Sequence, residues 1–209
     1  MLKRLFDIKV SVLGLIVLSP FFLLIALLIA TTSRGGIFFR QTRIGRGGTP
    51  FRIFKFRTMA PLDGAEAGSF DLADQSRVTA VGRVLRRTKL DELPQLFNVL
   101  VGSMSIVGPR PEVERWTCEY PERWRIAHTV RPGITDRASI EFRDEEKLLS
   151  AADDPEACYR DVILPRKLDF YEAYADQHSM WGDCAIVLRT MTLLIGVGKP
   201  SANERQSRA

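Results

Sequence analysis

The stretch VSVLGLIVLSPFFLLIALLIA, from Val10 to Ala30, carries no charged side chain over 21 residues. In helical form such a run covers roughly 30 Å, the thickness of a bilayer's hydrocarbon. A cleaved secretory signal has a shorter apolar core and a small-residue processing site, whereas this segment leads into a domain dense with arginine. The chain is therefore organised about a membrane element, residues 1–33. Ser19-Pro20 lies near the midpoint of the apolar run. Proline has no N–H to offer the Ile16 carbonyl and forces a bend, and Ser19 can bond to a carbonyl one turn back and partly repair the loss in lipid.

Charge leaves the topology open between two readings. Lys3, Arg4 and Lys9 precede the segment, and Arg34, Arg40, Arg43 and Arg46 follow it, so both flanks qualify for the cytoplasmic side. A helix bent at Ser19-Pro20 that enters and leaves the same leaflet satisfies both, each arm of about ten residues reaching roughly 15 Å deep. A kinked spanning helix is the other reading, since prolines also occur in helices that cross.

With 209 residues, the chain suits one catalytic unit plus the membrane element. Lys+Arg 30 against Asp+Glu 25 leaves a formal charge of +5, which favours phosphates and lipid headgroups as partners. The excess is too small for a nucleic-acid binder, and the basic residues are interleaved with acids. Cys118, Cys158 and Cys184 are widely spaced and show no zinc pattern, so they read as free thiols. His128 and His178, the two histidines, are too far apart for a histidine metal centre or a Ser-His triad. Catalysis then rests on carboxylates and cations.

IFFRQTRIG and PFRIFKFRTM are short aromatic and β-branched runs joined by Arg46-Gly47-Gly48-Thr49, which predicts a β-hairpin. Lys55 and Arg57 share one face of its second strand. Residues 60–76 are small and acidic and read as a mobile loop. VTAVGRVLRRTKLDELPQLFNVLVG predicts a helix, a tight break and a second helix, with Leu93, Leu96, Phe97 and Leu100 as its core stripe. In SMSIVGPRPEV two prolines stiffen the loop around Arg110, residues Glu112 to Ala127 read as helix, and VRPGIT is a turn presenting Arg131. Pro155 to about Val197 has helical periodicity. Its stripe of Leu164, Leu168, Tyr171 and Tyr174, and the later Trp181, suit either a membrane surface or a core. Residues 198–209 read as a disordered polar tail.

Asp91 and Glu92 stand just before Pro94, a residue suited to a first helical turn, so both carboxylates belong at a helix N-terminus. Acids there are ordinary caps. The cationic company of Lys55, Arg57, Arg86, Arg87, Arg110 and Arg131 adds a chemical role, because such a set can neutralise a diphosphate while an aspartate attacks phosphorus. In that role Asp91 would be the nucleophile, since an aspartate carboxylate can form an acyl phosphate and split one displacement into two. Glu92 would manage protons or help to bind a metal.

KRLFD, the Ser-Pro of the apolar run, FFRQTRIG, FKFRTM, LDELPQLFNVLVGSMSIVGPRP and RPGIT together resemble the bacterial sugar transferases called monotopic phosphoglycosyl transferases. The resemblance covers about Lys3 to Thr135. It implies an α+β, mostly helical fold with a re-entrant membrane helix, a small hairpin and a cytosolic domain with interfacial amphipathic helices. It also implies catalysis by Asp91 and Glu92, Mg2+ near Asp91, Lys55 paired with Asp91, and Arg110 on phosphate or nucleotide. The implied reaction passes a sugar phosphate from a UDP-sugar to undecaprenyl, or another polyprenyl, phosphate and releases UMP. The enzyme would work at the cytoplasmic face of the bacterial inner membrane, in contact with membrane lipids.

The expected division is residues 1–33 as membrane helix, 34–197 as catalytic domain and 198–209 as tail. Ser103 stands where relatives often carry an acid, and DRASIEFRDEE follows PGIT in place of a commoner glycine- and glutamine-containing run. These departures spare the dyad and leave the sugar and its pathway open. A homodimer is compatible with the sequence and not required by it. The alternative function is a catalytically inactive membrane scaffold for glycan assembly, which has no need of acids set among arginines.

Overall fold

The computed structural model describes residues 2–33, 35–61 and 77–194. The chain divides into two compact units, Met1–Ile44 with Pro50–Ile106, and Gly45–Thr49 with Val107–Ala209.

The first unit opens with α1, Leu2–Thr32, one continuous helix that runs through Pro20. Ser19 Oγ donates to the Ile16 carbonyl at 2.8 Å, the repair that the Ser-Pro pair predicts. Most of the apolar side chains of α1 face outward: Leu13, Ile16, Val17, Leu23 and Leu27 are each more than half exposed. By length and composition α1 is able to cross a bilayer. Its inward face is short. Ile25 and Ile29 form a core with Phe56 and Leu85, against which Phe22, Ile37, Val81, Leu90 and Leu93 pack.

The hairpin forms as expected. β1, Phe38–Ile44, pairs antiparallel with β2, Pro50–Phe56, in a register of Phe38 with Phe56 and Gln41 with Ile53. Its turn takes positive φ at Gly47 and Gly48, which explains the glycine pair. Of the loop expected over 60–76, residues 62–76 lie outside the described ones; its two ends meet where the Ala60 N–H donates to the Arg77 carbonyl. Helix α2, Ala80–Thr88, is capped by Thr79, whose hydroxyl accepts from the Gly82 N–H. A Cβ on Gly82 would stand 1.9 Å from the Thr58 carbonyl oxygen, so glycine lets α2 lie against backbone.

Lys89 ends α2 in the left-handed region at φ 57. After it come a 3-10 turn, Leu90–Glu92, and α3, Gln95–Val101. This is the predicted helix, break and helix. The core stripe differs in one residue: Leu96 is buried, whereas Phe97 is 42% exposed and edge-on to Phe22. Val99 and the polar Asn98 hold the inward positions instead. Arg4 donates to the Val99 and Leu100 carbonyls at 2.6 and 3.0 Å, placing a cation on the last turn of α3, where carbonyls lack helical donors. Buried Asp7 accepts from Ser105 Oγ and the Ile106 N–H. The KRLFD motif thus fastens the start of α1 to α3 and the chain that follows it.

The second unit begins where β3, Ser105–Val107, passes into it. Glu112 to Ala127 is two short helices, α4 (Glu114–Thr117) and α5 (Pro121–Ala127), instead of one. Pro121 supplies the reason, since it suits a first turn and cannot continue a preceding helix. β4, Gly133–Thr135, leads to α6 (Arg137–Glu141), capped by Asp136, and then α7 (Glu145–Ser150).

The region from Pro155 onward is likewise segmented. It comprises α8 (Pro155–Cys158), a π turn (Tyr159–Ile163), α9 (Leu164–Gln177) and α10 (Met180–Leu194). The π turn falls just before Pro165, whose missing N–H interrupts the regular ladder. Leu164, Leu168 and Tyr171 are fully buried with Trp116, Trp124 and Tyr159. That stripe is core, and the membrane-surface reading does not hold for it. Trp181 on α10, in contrast, is 87% exposed. The three cysteines are free.

Candidate active site

Asp91 and Glu92 sit on the 3-10 turn between α2 and α3, each only 8% exposed. The turn is drawn tight by the positive φ of Lys89 and by bonds from the Glu92 and Leu93 N–H groups to the Lys89 and Leu90 carbonyls. Pro94 follows, suited by its fixed φ to the start of α3. Two adjacent, nearly buried carboxylates accumulate negative charge that needs a counter-charge. Lys55 on β2 answers it: its Nζ lies 2.9 Å from Glu92 Oε1. The cation thus meets the dyad at Glu92.

The strand that carries Lys55 and the helix that follows Glu92 are joined by a residue that sequence reasoning passed over. Asn98 is 2% exposed; its Oδ1 accepts from the Phe54 N–H at 2.9 Å and its Nδ2 donates to the Arg52 carbonyl at 2.8 Å. Within LDELPQLFNVL it looked like an ordinary polar position on an amphipathic helix. A buried amide in a short apolar helix was the available signal.

The other expected cations of this unit lie on the hairpin and on α2. Arg57 donates to the Gly36 and Phe38 carbonyls at 2.8 and 3.3 Å, closing the open end of the hairpin. Arg86 and Arg87 lie in the last turn of α2, the end that favours cations; Arg86 is half-buried and Arg87 exposed.

In the second unit the loops of Arg110 and Arg131 are locked together. The Gly108 N–H donates to the Thr135 carbonyl at 3.1 Å and the Gly133 N–H to the Pro109 carbonyl at 2.9 Å. A Cβ on Gly108 would fall 2.3 Å from the Arg131 carbonyl oxygen, and one on Gly133 2.1 Å from the Gly108 nitrogen. Only glycines permit this crossing, which fixes the two half-buried arginines to one backbone frame.

Beneath that frame lies a buried polar cluster that the sequence did not signal, because its members are scattered over separate elements. Tyr159 Oη donates to Glu112 Oε1 at 2.7 Å, and Lys167, 4% exposed, pairs with Glu145 at 2.6 Å. Burial pushes the Asp136 carboxyl above its ordinary value, while the Ser139 hydrogen bonds and the Arg110 and Lys167 charges pull it back. The Arg110 charge is thus felt by a buried acid.

Among the described residues no group of three or more His, Cys, Asp and Glu gathers. Mg2+ needs no such group, since it binds through one or two carboxylates while substrate phosphates and water complete its shell. Asp91 and Glu92 place two carboxylates on one turn.

Residues 1–196 match the model of the bacterial sugar transferase family, and the chain belongs to that family. It is 38% identical over 193 residues to a UDP-glucose:undecaprenyl-phosphate glucose-1-phosphate transferase of Klebsiella pneumoniae, covering 90% of this chain and 39% of that protein. An Aeromonas hydrophila UDP-N-acetylgalactosamine-undecaprenyl-phosphate N-acetylgalactosaminephosphotransferase is also 38% identical, over 94% of this chain and 44% of its own length. The exopolysaccharide production protein ExoY of Sinorhizobium fredii is 36% identical over 90% of this chain and 83% of its own length. The chain thus spans less than half the length of the first two relatives.

Proposed function

We propose that this protein transfers a sugar 1-phosphate from a UDP-sugar to undecaprenyl or another polyprenyl phosphate, yielding UMP and a polyprenyl-diphosphate sugar. The observation that carries the reading is the nearly buried Asp91-Glu92 turn facing Lys55 in a chain of the sugar transferase family. Asp91 attacks the β-phosphorus, the bond from that phosphorus to the bridging oxygen breaks, and UMP departs with that oxygen. The sugar phosphate is then held on Asp91 as an acyl phosphate. An oxygen of the polyprenyl phosphate attacks the same phosphorus, the bond to Asp91 breaks, and the carboxylate is restored.

Lys55 offsets the charge of the dyad during both displacements, and Glu92, fixed by Lys55, manages protons at the phosphate. Arg57, Arg86, Arg87, Arg110 and Arg131 serve the phosphates of donor and acceptor, by charge and by guanidinium forks. Mg2+ held at Asp91 would supply further neutralisation of the diphosphate.

The acceptor is a lipid, so the site belongs at a membrane surface, and α1 is the embedded element, re-entrant from the cytoplasmic face of the inner membrane. Both ends of α1 support this. Arg4 and Asp7 near its start bind α3, Ser105 and Ile106, while Ile25 and Ile29 near its end pack on Phe56 and Leu85 of the same unit. A spanning helix would separate its ends by roughly 30 Å of hydrocarbon, leaving one beyond reach of a cytosolic unit. Exposed Trp181, Leu188 and Met191 on α10 suit an interfacial position.

The test is UMP release by purified protein given Mg2+, undecaprenyl phosphate and a panel of UDP-sugars that includes UDP-glucose and UDP-N-acetylgalactosamine. Release with one donor, lost in Asp91→Asn, is the expected result. Absence of release with every donor would return the scaffold reading.

A further inference from the structure

We infer that Asn98 is the positioning residue of the site: its side-chain amide sets the register between β2, which carries Lys55, and α3, which follows Asp91 and Glu92. The inference rests on the proposed roles of Lys55 and the dyad.

In a two-stranded antiparallel ribbon, alternate residues of each strand turn N–H and C=O away from the partner strand. Arg52 and Phe54 are such residues, and Asn98 meets the carbonyl of one and the N–H of the other. A side-chain amide carries the same donor and acceptor as a peptide group, so Asn98 acts as one residue of a third strand. It leaves no room for a slip: moving β2 by one residue would present the wrong groups and turn Lys55 to the opposite face.

The amide is itself held. Its Nδ2 lies 3.3 Å from Ser103 Oγ, and that hydroxyl donates to the Asn98 carbonyl at 3.1 Å. The same carbonyl accepts from the Gly102 and Met104 N–H groups. Asn98 therefore sits where the end of α3 is tied off, with little rotational freedom. Lys55 directly follows Phe54, and its flexible stem makes the 2.9 Å contact to Glu92 only if strand and helix are spaced correctly. Without the amide, the Phe54 N–H and the Arg52 carbonyl lose partners in a partly buried setting, and β2 is free to shift.

Displacement of a charged group by about 1 Å can cost on the order of a hundredfold in rate. We expect Asn98→Ala to lower kcat for UMP release about ten- to a hundredfold by this effect, with KM for the UDP-sugar little changed. The deciding measurement is a cycle in the full-length, detergent-solubilised protein: wild type, Asn98→Ala, Lys55→Ala and the double variant. If Asn98 works through Lys55, the double variant loses no more than Lys55→Ala alone. Losses that multiply would assign Asn98 a merely structural role and overturn the inference, as would an inert Lys55→Ala.

Hydrogen exchange gives a second readout, independent of turnover. The peptide containing residues 51–56 should exchange faster in Asn98→Ala, and unchanged protection would also overturn the idea. Should Asn98→Ala fail to fold, Asn98→Asp replaces it in the cycle, since it keeps the acceptor for Phe54 and removes the donor to Arg52. Full activity in Asn98→Asp counts against the inference. A wild type that releases no UMP would defeat the proposed function instead, a result distinct from an active wild type with multiplicative losses.

Discussion

Arg4 Nη1 donates to the Val99 carbonyl at 2.6 Å, so the first turn of the apolar helix is bonded to the last turn of the helix that follows the Asp91-Glu92 turn. Asp7, one turn further on, is almost fully buried and accepts from Ser105 Oγ and the Ile106 N–H. Replacing Asp7 with Ala leaves both donors without that acceptor, a loss of about 1–3 kcal/mol. The expected outcome is a lower thermal midpoint in detergent and reduced UMP release, with the protein still in the membrane fraction, since the apolar run is untouched.

Asp91→Asn removes the proposed nucleophile and little else. UMP release should fall to background while membrane association and thermal midpoint stay close to wild type. Incubation of wild type with donor alone, without the lipid acceptor, should add one sugar phosphate to the intact mass, and Asp91→Asn should add none. Turnover by Asp91→Asn at the wild-type rate would exclude Asp91 as the attacking group.

Gly133→Ala tests the crossing that binds the Arg110 and Arg131 loops. Its new Cβ would meet the Gly108 backbone at 2.1 Å, so the loops must separate. Overpacking against backbone costs roughly 1–3 kcal/mol or more. The variant should lose stability and activity together. Gly47→Asn, by contrast, meets nothing within 4 Å, and asparagine accepts positive φ, so its midpoint should differ little.

His128 gives a pH test. Burial holds its imidazole below the ordinary 6.5. The unfolded chain therefore takes up the proton first as pH falls, and the stability owed to neutral His128 is full above 6.5 and declines below it toward the folded value. Thermal midpoints measured from pH 8 to pH 5 should drop more steeply in wild type than in His128→Gln. Parallel slopes would mean that His128 makes no such contribution.

The topology of α1 can be read with single cysteines, Lys3→Cys or Arg40→Cys, in a variant without Cys118, Cys158 and Cys184. In intact spheroplasts a membrane-impermeant thiol reagent should reach neither site, and both should react after lysis. Labelling of Lys3→Cys from outside would establish a spanning helix.

Much of this architecture was legible along the chain because it depends on neighbours. The charge-free run with Ser19-Pro20 specifies the helix and its repaired carbonyl, since a proline's missing donor acts four residues back. The glycine pair at Gly47 and Gly48 specifies the hairpin turn through φ. Asp91 and Glu92 were legible because carboxylates ahead of a proline mark a helix start. The errors were also local in origin. Periodicity placed Phe97 in the core stripe, but periodicity identifies a face without saying what covers it, and Pro121 and Pro165 broke helices that composition alone would have continued.

Only the tertiary structure could decide which distant groups meet. Arg4 is 95 residues from Val99, Asn98 44 from Phe54 and Lys55 37 from Glu92. Whether a polar side chain of that kind is solvated or becomes the buried partner of a particular backbone group depends on how elements pack. No window of sequence contains that information, because the energy that selects it is the cost of leaving a buried donor or acceptor unpaired, and burial exists only once the chain has folded.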